Sequence, residues 1–505
     1  MSSFKVSPGR RLRSGAVKSF LAVTALALSF GVGAERRALA SVEPGPTPDV
    51  TAVAAGQAVN SYSGVVKRVA PAVVTINAQR RVSARQGSPF GDNPLLEEFF
   101  GGQGRGRRQQ PQRERRAAAL GSGVIVSADG YILTNHHVVD GAEQIKVELN
   151  DGRTLDAQVV GSDEPSDLAV LKVSGSNLPT LRLGDSDKVE VGDVVLAVGN
   201  PLGIGQTVTT GIISAKGRQT GSGDGSFEDF LQTDAPINQG NSGGALVNTS
   251  GELIGINSQI LSRSGGSIGI GFAIPSNMAG SVMEQLVKTG EVRRGQLGVI
   301  VQKVTSDIAD SLGLGEAHGV IVSQVQPGSA AERAGLKRGD VITALNGAAV
   351  NDPNAFRNRV AGVRPGTETR LDLVRGGRET QVRAVLGEFK VEKAKAEVEE
   401  DSAQVPSKED TGRLGLGVEP LTPQAAGRGG LPAGTRGLVV TEVDDAGPAG
   451  DAGLERGDVI VEANQRPVNS AAELKSAVES AGTRPVLLLV NRRGATIYMT
   501  VSPRQ

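Results

Sequence analysis

Gly123-Val-Ile-Val-Ser-Ala-Asp-Gly-Tyr-Ile-Leu-Thr-Asn-His-His-Val-Val139 decides how the rest of the chain is read. Two short apolar runs, 123–126 and 131–134, flank a turn at Ala128-Asp-Gly130, and two adjacent histidines follow the second run. That is strand, turn, strand, with no helical period between the runs. The same pattern extends outward. Residues 70–77, 167–173, 194–198, 207–213, 253–256 and 268–274 are further β-rich runs, and 145–149 and 155–160 flank Asn150-Asp-Gly152. Asn-Asp-Gly is a hairpin signal because Gly accepts positive φ without steric cost. Strands at this spacing, with no helices between them, predict a β-sandwich or barrel. A helix is expected over 276–288, with Ser276 as its N-cap and Gly290 as its stop.

The chain has 505 residues, which is too many for one hydrophobic core and suits about three domains. It contains no Cys, which excludes disulfides, zinc–cysteine sites, iron–sulfur clusters and a thiol nucleophile. Its 54 basic residues balance 54 acidic ones, so no field for nucleic acid is expected. Residues 1–40 combine a basic start (Lys5, Arg10, Arg11, Arg13, Lys18), an uncharged run over 19–34 and Ala38-Leu39-Ala40. This predicts a cleaved export signal, cut after Ala40 or after Ala34. Its removal takes seven basic residues and one acidic one, leaving a mildly acidic chain. No later segment is apolar enough to cross a bilayer, so any membrane association is expected at the surface only.

Residues 41–62 form an N-terminal segment and 63–290 the first folded unit. Residues 80–118 interrupt its strands; 103–116 hold six Arg and almost nothing apolar, which predicts a mobile loop. Phe90, Phe99 and Phe100 just before them suggest a regulatory or assembly role. Further on, Ala334-Gly-Leu-Lys-Arg-Gly-Asp-Val-Ile342 recurs as Ala452-Gly-Leu-Glu-Arg-Gly-Asp-Val-Ile460. Two copies make tandem modules, 291–388 and 412–505, because a solenoid needs at least three. Residues 389–411 read as a charged flexible linker. The repetition of Arg-Gly-Asp within each copy assigns it to a turn of the fold, not to integrin recognition.

The chemistry concentrates at Gly240-Asn-Ser-Gly-Gly244. Glycines on both sides of Ser242 allow a tight bend that presents the hydroxyl. A serine needs a base within hydrogen-bond reach to act as a nucleophile. The chain has three His, and two of them, His136 and His137, follow the strand at 131–134. Asp167 is the candidate to orient the ring. The chain order His, Asp, Ser is that of the chymotrypsin type. No Walker Lys-Ser/Thr follows the glycines, no Gly-x-Ser-x-Gly elbow surrounds Ser242, and no third His or Cys accompanies the His pair. Phosphate-loop, esterase and metal chemistry are therefore disfavoured, and no cofactor is expected.

Thr134-Asn-His-His-Val-Val139, Ser166-Asp-Leu-Ala-Val-Leu171, Gly199-Asn-Pro201, residues 233–246 and Gly269-Ile-Gly-Phe-Ala-Ile-Pro275 together resemble the HtrA/Do family of envelope serine proteases. The two repeats resemble PDZ domains. The resemblance runs from about residue 60 to 505. It implies a mostly β fold, in which a chymotrypsin-like double β-barrel precedes two PDZ domains. It implies an ATP-independent periplasmic endopeptidase that degrades unfolded proteins, with His137 as base, Asp167 as orienting acid and Ser242 as nucleophile. Backbone amides around Gly240, Asn241 and Ser242 would form the oxyanion hole. Ile237, Ile268 and Ile270 would line a slot for small aliphatic residues. Substrate C-termini would be captured at Arg294, Leu297, Gly298 and Val299; in the second module Arg413-Leu-Gly-Leu-Gly-Val418 leaves two registers open. A trimer-based homo-oligomer is implied. The second functional reading is a peptide-binding chaperone or scaffold with little proteolysis.

Overall fold

The turn chemistry builds two barrels. Tyr131–Thr134 (β3) follows Arg115–Ile125 (β2) through a turn whose Gly130 has φ +96°; a Cβ there would stand 2.3 Å from the Val173 carbonyl oxygen. Gln144–Glu148 (β4) and Thr154–Asp163 (β5) meet across Gly152 at φ +86°. With Val73–Val82 (β1) and Leu168–Val173 (β6) they close in the order β1-β2-β3-β6-β5-β4. Val194–Gly199 (β7), Thr207–Arg218 (β8), Phe230–Thr233 (β9), Ala245–Asn248 (β10), Leu253–Ile260 (β11) and Gly271–Pro275 (β12) close the second barrel as β10-β11-β12-β9-β8-β7. These elements come from a computed structural model that describes residues 61–82, 115–200, 205–220, 226–262, 266–389, 409–410, 413–428, 431, 434–482 and 484–503.

Each barrel has its own interior. Ile76, Ile125, Ile132 and Leu171 fill the first, and Ile213, Leu231 and Leu246 the second. A third cluster joins them at the seam, where Val124, Leu133 and Leu168 meet Val198, Ala245 and Ile256. Full burial of each large aliphatic side chain contributes about 1.5–3 kcal/mol, so the seam cluster also stabilises the pairing of the two barrels. The helix Ser276–Thr289 closes on Gly290 at φ +77° and packs Ala279, Val282 and Leu286 on the seam. Its N-cap is Pro275, not Ser276. Ser276 is instead the first helical residue, and its hydroxyl donates to the Gly184 carbonyl at 2.8 Å.

Two boundaries differ from the sequence reading. The run expected as a strand from residue 70 opens with a 3-10 turn, Ala70–Ala72, because Pro71 suits a helical first turn, and β1 starts at Val73. The interruption expected over 80–118 is shorter, since Arg80 pairs with Ala117, Arg81 with Arg116 and Val82 with Arg115. An antiparallel ladder is satisfied by backbone groups and tolerates the arginines that argued for a loop. The rest of that insertion, with its three Phe, lies outside the described residues, as do the export signal and most of the charged linker.

Each repeat forms an antiparallel sheet with flanking helices. The repeated aspartates, Asp340 and Asp458, are buried and paired with Arg375 and Arg492. Each also accepts a hydrogen bond from the backbone three residues upstream, Lys337 N–H at 2.8 Å and Glu455 N–H at 2.9 Å. The Arg-Gly-Asp motif is therefore a turn that ties a strand to its neighbour. The linker assigned to 389–411 is folded at both ends. Phe389 packs edge-on against Phe227 with ring centres 5.2 Å apart, and Glu409–Asp410 pairs with Val418 and Gly417. A hydrophobic cluster of Val304, Ile308, Val341, Leu487, Leu489 and Tyr498 joins the two modules.

Candidate active site

β3 ends at Thr134, and the chain turns into a single helical turn, His136–Val139, beside the first-barrel core. Across from it, the 3-10 turn Glu164–Ser166 ends on Asp167 in the left-handed region, φ +53°. That conformation is uncommon for a residue other than Gly. Here it is held from both ends of the residue. The Asp167 carbonyl accepts from Asn135 Nδ2 (2.9 Å) and His136 N–H (3.2 Å); its carboxylate faces His137 Nδ1 at 2.9 Å from each oxygen and accepts from His137 N–H at 3.2 Å. Ser258 Oγ donates to the same carboxylate at 2.8 Å. Burial alone would raise the carboxyl pKa. The charge and hydrogen bonds of His137, with the Ser258 hydroxyl, outweigh it and hold Asp167 below its ordinary value.

The nucleophile turn is shaped by contacts that only glycine allows. Gly243 has φ +81°, and a Cβ there would lie 2.1 Å from the Ser122 carbonyl oxygen and 2.3 Å from Thr134 Oγ1. A Cβ on Gly244 would lie 2.3 Å from the Val198 carbonyl oxygen, and one on Gly199 would lie 2.8 Å from Asn241 Cα. Gly243 N–H donates to the Asn257 carbonyl at 2.7 Å. Asn257 and Ser258 are neighbours on β11, so one strand grips both the serine turn and Asp167. Thr134, which presses on Gly243, lies three residues before His137. His137, Asp167 and Ser242 are thus brought to one seam between the barrels. Ser242 is 1% exposed, and its Oγ has no hydrogen-bond partner.

Asn241 N–H is already donated to the Asn238 carbonyl at 2.9 Å, so it is removed from the expected set of oxyanion donors. The amides of Gly240 and Ser242 remain. The three isoleucines do not converge on one slot. Ile237 is sealed in the second-barrel core, Ile270 packs half-buried at the seam, and Ile268 is 60% exposed.

Arg294 also departs from its expected role. Its guanidinium pairs with Asp163 at 2.8 and 2.5 Å, with both side chains buried, and lies 4.6 Å over the Phe227 ring. Committed to that carboxylate, it is not available to a peptide carboxylate. Leu297, Gly298 and Val299 do line a groove of about 420 Å³, with Phe356 and Val360 of the helix Pro353–Gly362 opposite. The second module's register is settled by matching hydrogen bonds. Ala331 N–H donates to Leu297 O and Gln326 N–H to Gly298 O; Ala449 N–H donates to Leu414 O and Asp444 N–H to Gly415 O. Leu414-Gly415-Leu416 therefore corresponds to Leu297-Gly298-Val299.

Comparison with known proteins agrees with this architecture. A trypsin-like peptidase domain model matches residues 121–256, and a PDZ domain model matches 291–386 and 412–502. Periplasmic serine endoprotease DegP of Escherichia coli strain K12 is 39% identical, with 95% of this chain and 99% of that protein covered. The chain belongs to the HtrA family of serine endoproteases. The periplasmic pH-dependent serine endoprotease DegQ of the same strain is 40% identical to this HtrA protease over 94% of the chain and 98% of the relative. A solved HtrA-type protease, AlgW with a decapeptide, is 46% identical with a TM-score of 0.52, covering 66% of this chain and all of that one. The HtrA protease described here is a serine endopeptidase with two PDZ domains.

Sequence reasoning missed Ser258 and Asp163 as partners within this HtrA site. Ser258 lies 91 residues from Asp167 along the chain, and Asp163 lies 131 residues from Arg294. No local motif announces either one.

Proposed function

We propose that Ser242 attacks a peptide carbonyl while His137 takes its proton, with Asp167 holding the ring through Nδ1. That tautomer leaves Nε2 for the hydroxyl, and the proton returns to the leaving amine. The negative oxygen formed on attack is bound by the Gly240 and Ser242 amides, each donor being worth about 3–4 kcal/mol in enzymes of this kind. The observation that carries the reading is the doubly supported carboxylate. Asp167 faces His137 Nδ1 at 2.9 Å and accepts from Ser258 at 2.8 Å on a strand that also anchors the serine turn. A carboxylate held below its usual pKa stays anionic and stabilises the imidazolium that forms during attack.

The substrates are unfolded polypeptides of the periplasm, reached after removal of the signal at 1–40 and degraded without ATP. The names of the relatives support a periplasmic protease, and the PDZ pair supports peptide capture. Cleavage after small aliphatic residues draws on Ile270, half-buried at the seam, while Ile237 and Ile268 do not join it in one slot. Substrate C-termini add as a strand along Val299–Lys303, with the carboxylate at the Leu297-Gly298-Val299 turn. The working form is a trimer-based homo-oligomer, a reading supported by the chain's membership of the HtrA family.

The test is cleavage of casein by the parent chain and by Ser242→Ala, with a serine-directed phosphonate mapped by mass spectrometry. Loss of cleavage together with labelling at Ser242 is expected. Cleavage that persists in Ser242→Ala removes the site assignment and leaves peptide capture.

A further inference from the structure

Ser122 sits on β2 in the first barrel and is fully buried. All of its hydrogen-bonding groups are engaged at the seam. Its N–H donates to the Ser242 carbonyl at 2.8 Å. Its Oγ donates to the Gly240 carbonyl at 2.6 Å and accepts from Asn200 N–H at 2.9 Å. Its own carbonyl accepts from Thr134 Oγ1 at 2.7 Å. A hydroxyl has a single proton. Because Asn200 N–H supplies one hydrogen bond to Oγ, that proton is directed to the Gly240 carbonyl.

The two carbonyls held in this way belong to the peptide units on either side of the Asn241–Ser242 peptide. The carbonyl of that central peptide, Asn241 O, accepts from Gly244 N–H at 2.9 Å. With both flanks and the carbonyl fixed, the remaining polar group of the central peptide, Ser242 N–H, is aimed the opposite way. Asn241 Cα also packs against Gly199, where a Cβ would intrude to 2.8 Å, so the turn cannot relax in that direction. We infer that Ser122 is a positioning residue. From the first barrel it clamps the turn that presents the Ser242 amide as an oxyanion donor. The inference rests on the reading of Ser242 as nucleophile given above.

Truncation of the hydroxyl leaves the Gly240 carbonyl buried without its donor. The 240–241 peptide, then held only through the Asn241 N–H bond to the Asn238 carbonyl, is free to tilt, and the amide beyond it loses its aim. Deleting an oxyanion donor outright lowers kcat by about 100–1,000-fold. A donor that is misaimed but still present should cost less, about 10–100-fold on the same scale.

The experiment uses the full chain and its Ser122→Ala and Ser122→Cys variants. It measures peptide hydrolysis, affinity for a peptide boronate that forms a tetrahedral adduct, phosphonate labelling mapped by mass spectrometry, and thermal melting. Expected for Ser122→Ala are a fall in kcat of that size, KM within about twofold, and a boronate affinity that weakens in step with kcat. Ser122→Cys, which keeps a weak donor, should fall between. If Ser122→Ala is unfolded at the assay temperature, the Cys variant carries the comparison. Unchanged kcat and boronate affinity in a folded variant overturn the inference. So does a variant that changes only its melting temperature. Phosphonate attached elsewhere than Ser242 in the parent chain overturns the site assignment instead, so the two failures are distinguishable.

Discussion

Arg294→Ala tests how the peptidase unit is fastened to the segment that leads into the first PDZ module. The Arg294–Asp163 pair is 9% and 7% exposed at its side chains and bidentate, and it is capped by the Phe227 ring. Asp163 has a second duty. It accepts from Ser166 N–H at 3.0 Å and from the Ser166 hydroxyl, closing the 3-10 turn that ends on Asp167. Removing one member of a buried pair strands the other charge and costs about 3–5 kcal/mol, whereas replacing both by uncharged groups of similar size is often neutral. Arg294→Ala should therefore destabilise by about 3–5 kcal/mol, and Arg294→Met with Asp163→Asn should stay within about 1 kcal/mol of the parent. The side-chain amide introduced at position 163 in that double variant keeps an oxygen that can accept from Ser166 N–H. Urea unfolding in a Ser242→Ala background, which avoids self-digestion, reads the transition of the peptidase unit. A cost below about 1 kcal/mol for Arg294→Ala, or a double variant as unstable as the single, refutes the argument that this pair is desolvated.

Gly243→Ala would place a methyl 2.1 Å from a carbonyl oxygen at φ +81°, so it should abolish phosphonate labelling and destabilise by more than about 4 kcal/mol, read by labelling and denaturation. Tyr498→Phe removes a buried hydroxyl that has no partner and whose pKa is raised by burial first and by Glu462 next. Urea denaturation should find it neutral or more stable by about 1 kcal/mol. Asp167 has a folded pKa below the ordinary carboxylate value, so its stabilising contribution is complete above that ordinary value and is lost as pH falls through the lower, folded one. Acid unfolding of parent and Asp167→Asn should therefore differ near neutral pH and converge at the acid end.

Much of the molecule is legible as sequence. The β class, the tandem modules and the helix that ends at Gly290 follow from local features: turn glycines, alternation and a repeated nonapeptide, whereas the choice of His137 over His136 beside Asp167 and Ser242 came from the family resemblance. Such signals act within a few residues, where chain connectivity already holds the groups together. The Gly243 and Gly244 requirement was visible as a motif, although its cause, crowding by Ser122, Thr134 and Val198 from other strands, was not.

Tertiary structure decided the rest. It withdrew Asn241 from the oxyanion donors, because Asn238 takes its amide, and it turned Arg294 from a peptide ligand into the partner of Asp163. It chose Leu414-Gly415-Leu416 over the alternative register, and it brought Ser258 to Asp167 and Ser122 to Gly240 across 91 and 118 residues of chain. Apart from the short-range Asn241–Asn238 bond, each of these outcomes is a competition for one donor or one carboxylate among groups distant along the chain. The winner is set by barrel closure and packing at the seam, which no window of sequence contains.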